Sequence, residues 1–484
     1  MTTNRSERVL AEPGARVEAA HVVVGSGPGG AITACLLAEH GRDVMLIEEG
    51  AYHPQDSCPD FSVLEMEQKY RAGGLTVAMG KPNVAYVEGR CVGGGSEINS
   101  GLYHRTPPDI LARWRQQFGI RDLDEADLTP HFEAVERDLE VQTHRGTLPP
   151  ASLKLSEGSQ RLGWNCVEVP RWFSYERDPR GRRKSMTESY VPRALDAGCR
   201  LLPNTRAHRI VRAGRGWEVR AHQQKRGSIL IRAEHLFLAA GAVQTPALLR
   251  RSGIREAVGD DLQMHPTVKL LARFDDTVND PGMGVPVHQV KQFAPRMSFG
   301  CSISARPFLA LTMLDHAADA DAIDEQWHHS AIYYAMIRGG GRGRIRTIPG
   351  LRDPLVRYRL SDAAMTDLAE GLNRLARVLF EAGARACYPS FAGGAGLTGP
   401  DQLDRWPAQL PVDRTNVMTI HLFSSCPMGE RLGHCPVDSY GRVRAADRLH
   451  VADASIIPGP PGVNPQGTVM ALARRNTLRY LDAL

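Results

Sequence analysis

A strand that runs directly into a glycine-rich turn is the feature that most constrains how this chain folds. Residues 21–30 read as a short strand followed by Gly25, Gly27 and Gly30 in GxGxxG spacing. Gly25 permits a tight turn, Gly27 lets backbone N–H groups approach a pyrophosphate, and Gly30 lets the next helix pack closely on its strand. The turn therefore predicts a dinucleotide site, although its spacing alone is a weak signal.

The residues after the turn complete a βαβ unit. A helix is predicted over 31–40 and ends at Gly41, and a second strand is predicted over 43–48. Glu48 stands about 20 residues into the unit, where an acidic residue takes the ribose hydroxyls. Strand, helix, second strand and acid in register favour a Rossmann-like nucleotide-binding domain.

The chain is too long for one hydrophobic core. Its 484 residues favour an α/β protein of two domains. We expect a nucleotide-binding domain made of residues 17–150, 186–266 and 412–484. A second, antiparallel-sheet domain for the substrate is expected to contain residues 151–185 and 267–411, where the composition changes.

Charge and cysteine content exclude several function classes. A formal net charge of +5 is small for this length, so no nucleic-acid partner is expected. The nine cysteines are scattered without CxxC spacing, which favours reduced thiols and a cytoplasmic protein. No apolar leader begins the chain and no long apolar run follows, so no membrane partner is expected. His328 and His329 lack ligand spacing, so no metal site is expected.

Several elements between residues 199 and 383 are predicted from the sequence pattern. Short strands near 199–202, 209–212, 216–221 and 229–232 indicate an antiparallel meander. Residues 235–241 are predicted as a further buried parallel strand, residues 245–253 as a helix, and residues 361–383 as a long amphipathic helix.

A second glycine-rich segment covers residues 89–101, with five glycines in thirteen residues. Consecutive N–H groups in such a segment can bind phosphate or lie flat against a ring. A flexible loop is the alternative interpretation. Ile98, Leu102 and Tyr103 argue against it, because apolar side chains tether the segment to a core.

Two polar residues near the C-terminus are candidates for chemistry. His421 ends a predicted strand over 417–421, and Asn464 lies just before a helix that begins near Gln466. Side chains at helix N-termini recur where cofactors and oxyanions bind. Taken singly, His421 reads as a hydrogen-bonded core histidine and Asn464 as a helix cap or turn residue.

Three separated parts of the sequence resemble the signatures of the glucose-methanol-choline (GMC) family of flavin oxidoreductases. The first signature is similar to residues 89–103 and the second to residues 241–254. The third region corresponds, in the family's order, to residues 421–429, 437–443, 449–455 and 462–465. On these segments the sequence is identified as a member of that family.

The resemblance implies an FAD-dependent alcohol oxidoreductase with the GMC fold. His421 would accept the alcohol proton, Asn464 would hold the substrate oxygen, and a hydride would pass to flavin N5. Residues expected at the cofactor are Gly25, Gly27, Gly30, Glu48, Arg90, Gly94, Gly95, Ser96, Asn99, Asp453, Ala454 and Pro465. Members with covalent FAD carry a histidine at the position of Ile98, so non-covalent FAD is expected here.

Two residues depart from the family pattern. Arg255 stands where the second signature usually has glycine, and Thr106 occupies a position that the first signature gives to a smaller residue or proline. These departures weaken the expected loop geometry but leave the assignment unchanged.

The substrate is predicted from weaker features. Residues 97–105 resemble enzymes that oxidise the hydroxymethyl group of aminoglycoside precursors in antibiotic biosynthesis, so a primary alcohol of an aminosugar is expected. A sterol or long-chain alcohol oxidase is the alternative within the family, and a hydroxynitrile lyase is the non-redox alternative. A nicotinamide-dependent reductase would share only the first 50 residues. The electron acceptor, oxygen or another compound, stays open.

Overall fold

The computed structural model describes residues 16–176, 178 and 180–484. The start of the chain, for which no apolar leader is expected, lies outside these residues. Strands in the first half of the chain are β1 (Arg16–Val24), β2 (Val44–Ile47), β3 (Thr76–Ala78), β4 (Val84–Tyr86), β5 (Val141–Gln142), β6 (Cys166–Glu168), β7 (Arg171–Ser174), β8 (Arg182–Arg183), β9 (Arg200–Leu202), β10 (Thr205–Ala213), β11 (Gly216–Gln223) and β12 (Gly227–Leu238).

The remaining strands belong mainly to a second sheet. They are β13 (Gln263–Met264), β14 (Thr267–Arg273), β15 (His288–Val290), β16 (Met297–Cys301), β17 (Ser330–Ile337), β18 (Gly341–Arg346), β19 (Leu355–Leu360), β20 (Ala386–Pro389), β21 (Val417–Thr419), β22 (Leu422–Phe423) and β23 (Leu449–Val451).

Some of the α-helices pack on the first sheet and others on the second. They are α1 (Pro28–Glu39), α2 (Val63–Lys69), α3 (Pro108–Phe118), α4 (Glu125–Asp138), α5 (Pro150–Arg161), α6 (Tyr190–Asp196), α7 (Gly241–Arg251), α8 (Arg306–Thr312), α9 (Ala317–Glu325), α10 (Asp362–Glu381) and α11 (Gln466–Leu481).

A seven-stranded sheet forms the nucleotide-binding part of the molecule. Its parallel centre runs β23–β12–β1–β2–β9, and β10 and β11 extend it antiparallel beyond β12. α1 connects β1 to β2 and is buried along nearly its whole length against the sheet, α6 and α11. This arrangement confirms the predicted Rossmann-like unit, because parallel strands joined by a helix place their carboxyl ends at one edge.

A nine-stranded, mainly antiparallel sheet forms the second part. Its order is β3–β4–β21–β14–β17–β16–β15–β6, and β20 also pairs with β14. Helices α5 and α10 cover one face and bury a second hydrophobic cluster separate from that of the first sheet. The predicted amphipathic helix over 361–383 corresponds to α10, which Ser361 caps by accepting the N–H of Ala364.

Several predicted elements differ from the structure. The strands predicted at 229–232 and 235–241 are one strand, β12, which ends at Leu238. β1 pairs with it from Leu230 to Leu238 and so spans both predicted segments, while β11 pairs only with its first half. Residues 200–202 pair parallel with β2 and lie outside the meander. Helix α7 begins four residues before the predicted start, because Asp453 accepts the Gly241 N–H and supplies an N-terminal cap from a distant segment.

The two-domain division stays a prediction, and the second sheet draws strands from outside its predicted ranges. β3 and β4 come from the range 17–150, and β21 comes from the range 412–484. Both ranges were expected to belong wholly to the nucleotide-binding domain. Among the described residues, no helix is both long enough and apolar enough to cross a bilayer.

Candidate active site

A large cavity lies between the two sheets. One wall is made by the carboxyl ends of β1, β2, β12 and β23 and the turns that follow them. The opposite wall is one face of β14 and β17 in the nine-stranded sheet. In open parallel sheets ligands bind at the carboxyl ends of the strands, so this cavity is where the glycine turn predicts a cofactor.

Each glycine of the GxGxxG turn has a separate physical role. Gly25 has φ +102°, and a Cβ there would lie 2.3 Å from the Ala239 carbonyl oxygen. A Cβ on Gly30 would lie 1.9 Å from the Gly25 carbonyl oxygen, so Gly30 sets the packing of α1 on its strand. At Gly27 the nearest atom to a Cβ is the Gly94 Cα at 4.0 Å. The protein alone therefore tolerates a side chain at Gly27, and the space there faces the cavity.

The N-terminus of α1 points into the same cavity. Gly27 is the N-cap and has no side chain that could accept a hydrogen bond from the first turn. The amide donors of that turn therefore stay available. A Cβ on Gly29 would lie 1.8 Å from the Ala452 carbonyl oxygen, which holds the helix start against the end of β23. Free amides at a positive helix end suit a pyrophosphate.

Glu48 lines the cavity at the end of β2 and joins the two glycine segments. Its carboxylate accepts hydrogen bonds from the N–H and hydroxyl of Ser26 and from the N–H of Gly50. The Ser26 hydroxyl in turn accepts the N–H of Gly93. Burial raises the pKa of Glu48, while the donated hydrogen bonds oppose that rise. The predicted ribose contact of Glu48 stays a prediction.

The second glycine segment contributes both backbone and side chains to the cavity. Gly94, Gly95 and Asn99 line it, and a Cβ on Gly94 would lie 2.8 Å from the Gly27 Cα, so the two glycine segments touch. The side chains of Ser96 and Arg90 lie outside the lining. Ser96 bonds the backbone of Gly93 and Met186, and Arg90 faces Glu49. Direct contacts of Ser96 and Arg90 with a cofactor stay predictions.

The segments after β23 close the cavity on the side of α7 and α11. Asp453, Ala454 and Pro465 all line it. The Asp453 carboxylate is already engaged, because it accepts from the Gly241 N–H at 2.9 Å, from the Thr245 hydroxyl at 2.5 Å and from the Ser455 N–H at 2.8 Å. Asp453 therefore fixes the start of α7 and offers the cavity mainly its backbone.

His421 and Asn464 meet in the cavity wall, and the catalytic roles that the resemblance implies for them stay predictions. The His421 Nε2 lies 3.4 Å from the Asn464 Nδ2, and Gln289 donates to the Asn464 Oδ1 at 3.3 Å. His421 follows β21, and Asn464 precedes α11, so two separate segments bring the pair together. The pair stands where β21 of the second sheet meets the end of the first.

A second histidine, His265, lies behind His421. The short antiparallel pair β13–β22 places His265 beside His421, with 3.0 Å between their Nδ1 atoms. The His265 Nε2 accepts the N–H of Gly462 at 3.1 Å. A neutral imidazole carries one proton, so this bond puts the His265 proton on Nδ1 and favours the His421 tautomer protonated at Nε2.

The amide side of His421 makes the opposite demand. In this orientation of the two amides, the Asn464 nitrogen faces His421 and favours an unprotonated Nε2, while the Gln289 Oε1 is left buried without a hydrogen bond. His421 therefore lies between one neighbour that favours a proton on Nε2 and one that favours a free lone pair there. Burial, and then the charge of Lys291, lower the pKa of His421 to about 3, so the ring is neutral at physiological pH.

Sequence reasoning missed three residues of this site: His265, Gln289 and Gln466. The last accepts a hydrogen bond from Asn99 at 2.6 Å and so ties the second glycine segment to α11. A histidine just before the predicted strand at 267 was the available signal for His265. Gln289 and Gln466 carried no signal, because their partners lie 175 and 367 residues away.

The glycine turn, the uncapped helix end and the flat second glycine segment fit a dinucleotide with a ring system. A cofactor cavity with a histidine and an amide at one end defines a dinucleotide-dependent oxidoreductase. No group of three or more histidine, cysteine or acidic side chains positioned for a metal occurs within the described part of the chain.

Comparison with known proteins shows that the chain belongs to the GMC oxidoreductase family. The models described as "GMC oxidoreductase" match residues 66–267 and 341–473, and a Rossmann-like NAD(P)-binding model matches residues 23–53. An uncharacterised GMC-type oxidoreductase of Sinorhizobium fredii is 39% identical, with 95% of this chain and 94% of that protein covered. The chain is therefore an FAD-dependent enzyme of the alcohol oxidase and dehydrogenase type.

More distant relatives have named activities. A long-chain-alcohol oxidase of Arabidopsis thaliana is 24% identical, with 99% of this chain and 71% of that protein covered. The 6'''-hydroxyparomomycin C oxidase of Streptomyces lividus is also 24% identical, with 94% and 90% covered. A solved pyridoxine 4-oxidase from Mesorbium loti has a TM-score of 0.71 at 20% identity, with 96% of this chain and 99% of that one covered. That last similarity confirms the fold.

Proposed function

We propose that the chain oxidises a primary alcohol to an aldehyde, with FAD held non-covalently in the cavity and His421 and Asn464 at the reacting group. The observation that carries the proposal is the meeting of a neutral, buried histidine and an amide in the wall of the cofactor cavity. Ile98 lines the cavity where a covalent attachment would need a nucleophile, which supports non-covalent binding.

His421 and Asn464 have different roles at the alcohol. His421 Nε2 accepts the hydroxyl proton, and the Asn464 amide holds the oxygen from which that proton leaves. When bound, FAD supplies the acceptor for the hydride and its two electrons. Gly25, Gly27, Gly94 and Gly95 would hold the cofactor through backbone. Only at Gly27 and Gly95 is there room in the protein for a side chain, which would then fill space that the cofactor needs.

Proton acceptance by His421 sets a condition on His265. The Nε2 lone pair is free only when His421 carries its proton on Nδ1, and His265 then gives up the bond from Gly462. Leaving a buried donor without its acceptor costs about 1–3 kcal/mol, which is small against a chemical barrier. We therefore assign His265 as a positioning residue that selects the tautomer of His421.

Two classes of substrate are candidates for this reaction. The aminosugar alcohol expected from the sequence stays a candidate, supported by the Streptomyces lividus relative at 24% identity. A long-chain alcohol is supported at the same level by the Arabidopsis thaliana relative. Oxygen or another electron acceptor completes the cycle.

An anaerobic spectral titration of the purified holoenzyme tests the proposal. Loss of the oxidised-flavin band on addition of an aminosugar alcohol, a long-chain alcohol or a benzylic alcohol supports alcohol oxidation. A flavin that stays oxidised with all three classes, while cyanide is released from a hydroxynitrile, would replace the proposal with the lyase. Reoxidation on admitting air distinguishes an oxidase from a dehydrogenase.

A further inference from the structure

Lys269 stands on the wall of the cavity that faces the cofactor edge. Along β14 the side chains alternate, so Val268 and Leu270 are fully buried in the core of the second sheet. Thr267 and Lys269 point to the other face and line the cavity. The Lys269 ammonium lies 6.0 Å from the centre of the Phe308 ring, which lines the same wall.

Within the described ranges, the Lys269 ammonium has no anionic partner. Among the described residues, no carboxylate lies within ion-pair distance of it and no hydrogen bond of its Nζ is formed. Burial alone lowers the pKa of Lys269 to about 8, so most of the side chains are charged at neutral pH. Lys269 is half-buried on the cavity wall. An unpaired cation in such a place is unfavourable, and an anionic ligand group in the cavity would stabilise it.

The carboxylates of the cavity are all engaged elsewhere. Glu49 pairs with Arg71 at 2.8 Å, and Glu88 pairs with the same arginine at 3.3 Å. Glu48 and Asp453 accept hydrogen bonds at the ends of β2 and β23. These carboxylates stand on the wall made by the first sheet, where the cofactor is proposed to bind. The opposite wall, made by β14 and β17, therefore carries the positive charge of Lys269 without a counter-charge.

The position of Lys269 relates it to the reacting pair. In the β14–β17 register it lies opposite Tyr334, whose hydroxyl accepts from Gln289 at 2.9 Å. The same Gln289 amide reaches Asn464. Lys269 is also four residues from His265 along the chain, which is about 13 Å between Cα atoms in an extended strand. The wall between them is mostly apolar, with Met336, Met418 and Ile420.

We propose that the substrate is a primary alcohol with an anionic oxygen group, a carboxylate or a phosphate monoester, which binds Lys269 while the alcohol meets His421 and Asn464. An apolar body of several atoms separates the two groups. This inference rests on the proposed alcohol oxidation. It opposes the aminosugar expectation, because a cationic substrate would place like charges together in a buried site.

Isosteric benzylic alcohols test the charge requirement on the holoenzyme. 4-(Hydroxymethyl)benzoate is compared with the neutral 4-(hydroxymethyl)benzamide and the cationic 4-(aminomethyl)benzyl alcohol, and 4-(hydroxymethyl)phenyl phosphate distinguishes phosphate from carboxylate. We expect Lys269→Met to lower kcat/KM for the anionic alcohol by about 10–100-fold and to leave the neutral one within about threefold. Lys269→Arg should restore part of the loss, and Lys225→Met, in the exposed turn between β11 and β12, serves as the matched control.

Binding without turnover supplies a second readout. Titration calorimetry with 4-methylbenzoate, which has no alcohol to oxidise, should show binding to the wild type and to Lys225→Met, and loss of binding in Lys269→Met. Equal reduction by neutral, cationic and anionic alcohols, or equal effects of Lys269→Met on all three, would overturn the inference. Flavin that no alcohol reduces would instead remove the proposed function, so the two failures are distinguishable.

Discussion

The charge state of His421 follows from what surrounds it. Burial and the nearby Lys291 cation both disfavour the imidazolium, and no acidic side chain contributes to its pKa. His265 and His104 are held neutral in the same way, with Lys291 among the causes for each. The reacting end of the cavity is therefore an apolar site with neutral imidazoles rather than a carboxylate–histidine pair.

This environment predicts the pH dependence of flavin reduction. The pKa of His421 lies near 3, so the unprotonated ring is present throughout pH 6–9, and the reduction rate should show no inflection near pH 6.5. Removing the like charge with Lys291→Met raises the pKa of His421 and should move the acid limb upward by about 0.5–1 pH unit. Anaerobic stopped-flow reduction between pH 4 and 9 should therefore give a flat profile for the wild type and, for Lys291→Met, a fall in rate confined to the lowest pH values. An acid limb near pH 6.5 in the wild type would contradict this account.

At the scale of elements, local signals predicted the strand–turn–helix unit well. GxGxxG, the helix to Gly41 and the strand before Glu48 all depend on neighbouring residues, and the structure confirms them. The start of α7 could not be predicted, because its cap comes from Asp453, 212 residues away. The length of β12 was likewise missed, because only its pairing with β1 shows that one strand runs through both segments.

The open space at Gly27 leads to a test of how closely the cofactor approaches α1. Gly27→Ala places a methyl group where the protein itself has no atom nearer than 4.0 Å, so the fold should keep its thermal stability to within about 1 °C while FAD affinity falls by about 10–100-fold. Differential scanning fluorimetry of the apoprotein and FAD titration measure the two effects.

Gly30→Ala is the matched control for Gly27→Ala. Its methyl group would lie 1.9 Å from the Gly25 carbonyl oxygen, so the fold itself should be destabilised whether or not FAD is present. Full FAD affinity in Gly27→Ala would show that the cofactor lies away from the turn.

At the scale of the whole molecule, the site depends on contacts that no local pattern contains. The pair β13–β22 joins His265 to His421 across 156 residues, and the second sheet takes strands from three distant parts of the chain. The resemblance to a family supplied His421 and Asn464 together. It did not supply the residues behind them, which became visible only when the sheets were assembled.

Buried histidines also determine how the whole fold responds to acid. Burial lowers the pKa of His421 and His450 to about 3 and that of His131 and His235 to about 4. Each folded pKa lies below the unfolded value of 6.5, so the unfolded chain binds more protons over that window, and stability falls as the pH drops from about 6.5 towards 3.

We expect this linkage to lower Tm by about 5 °C between pH 7 and pH 5. His450 stacks on Phe237 at 4.7 Å between ring centres, so His450→Phe keeps the packing and removes one titrating group. Scanning calorimetry should show that the decrease in Tm between pH 7 and pH 5 is about 1–2 °C smaller in this variant. A Tm that rises on acidification would contradict the assignment of neutral histidines.

The most direct test of the account is anaerobic stopped-flow reduction of the bound flavin in wild type and His421→Gln, with one alcohol that reduces the wild type. We predict that the variant retains FAD and that the reduction rate falls by about 10²–10⁴-fold, because the proton acceptor is lost. His434→Gln, at an exposed position, should reduce at the wild-type rate. Reduction of His421→Gln at the wild-type rate, with FAD retained, would remove His421 from the reaction and contradict the central claim.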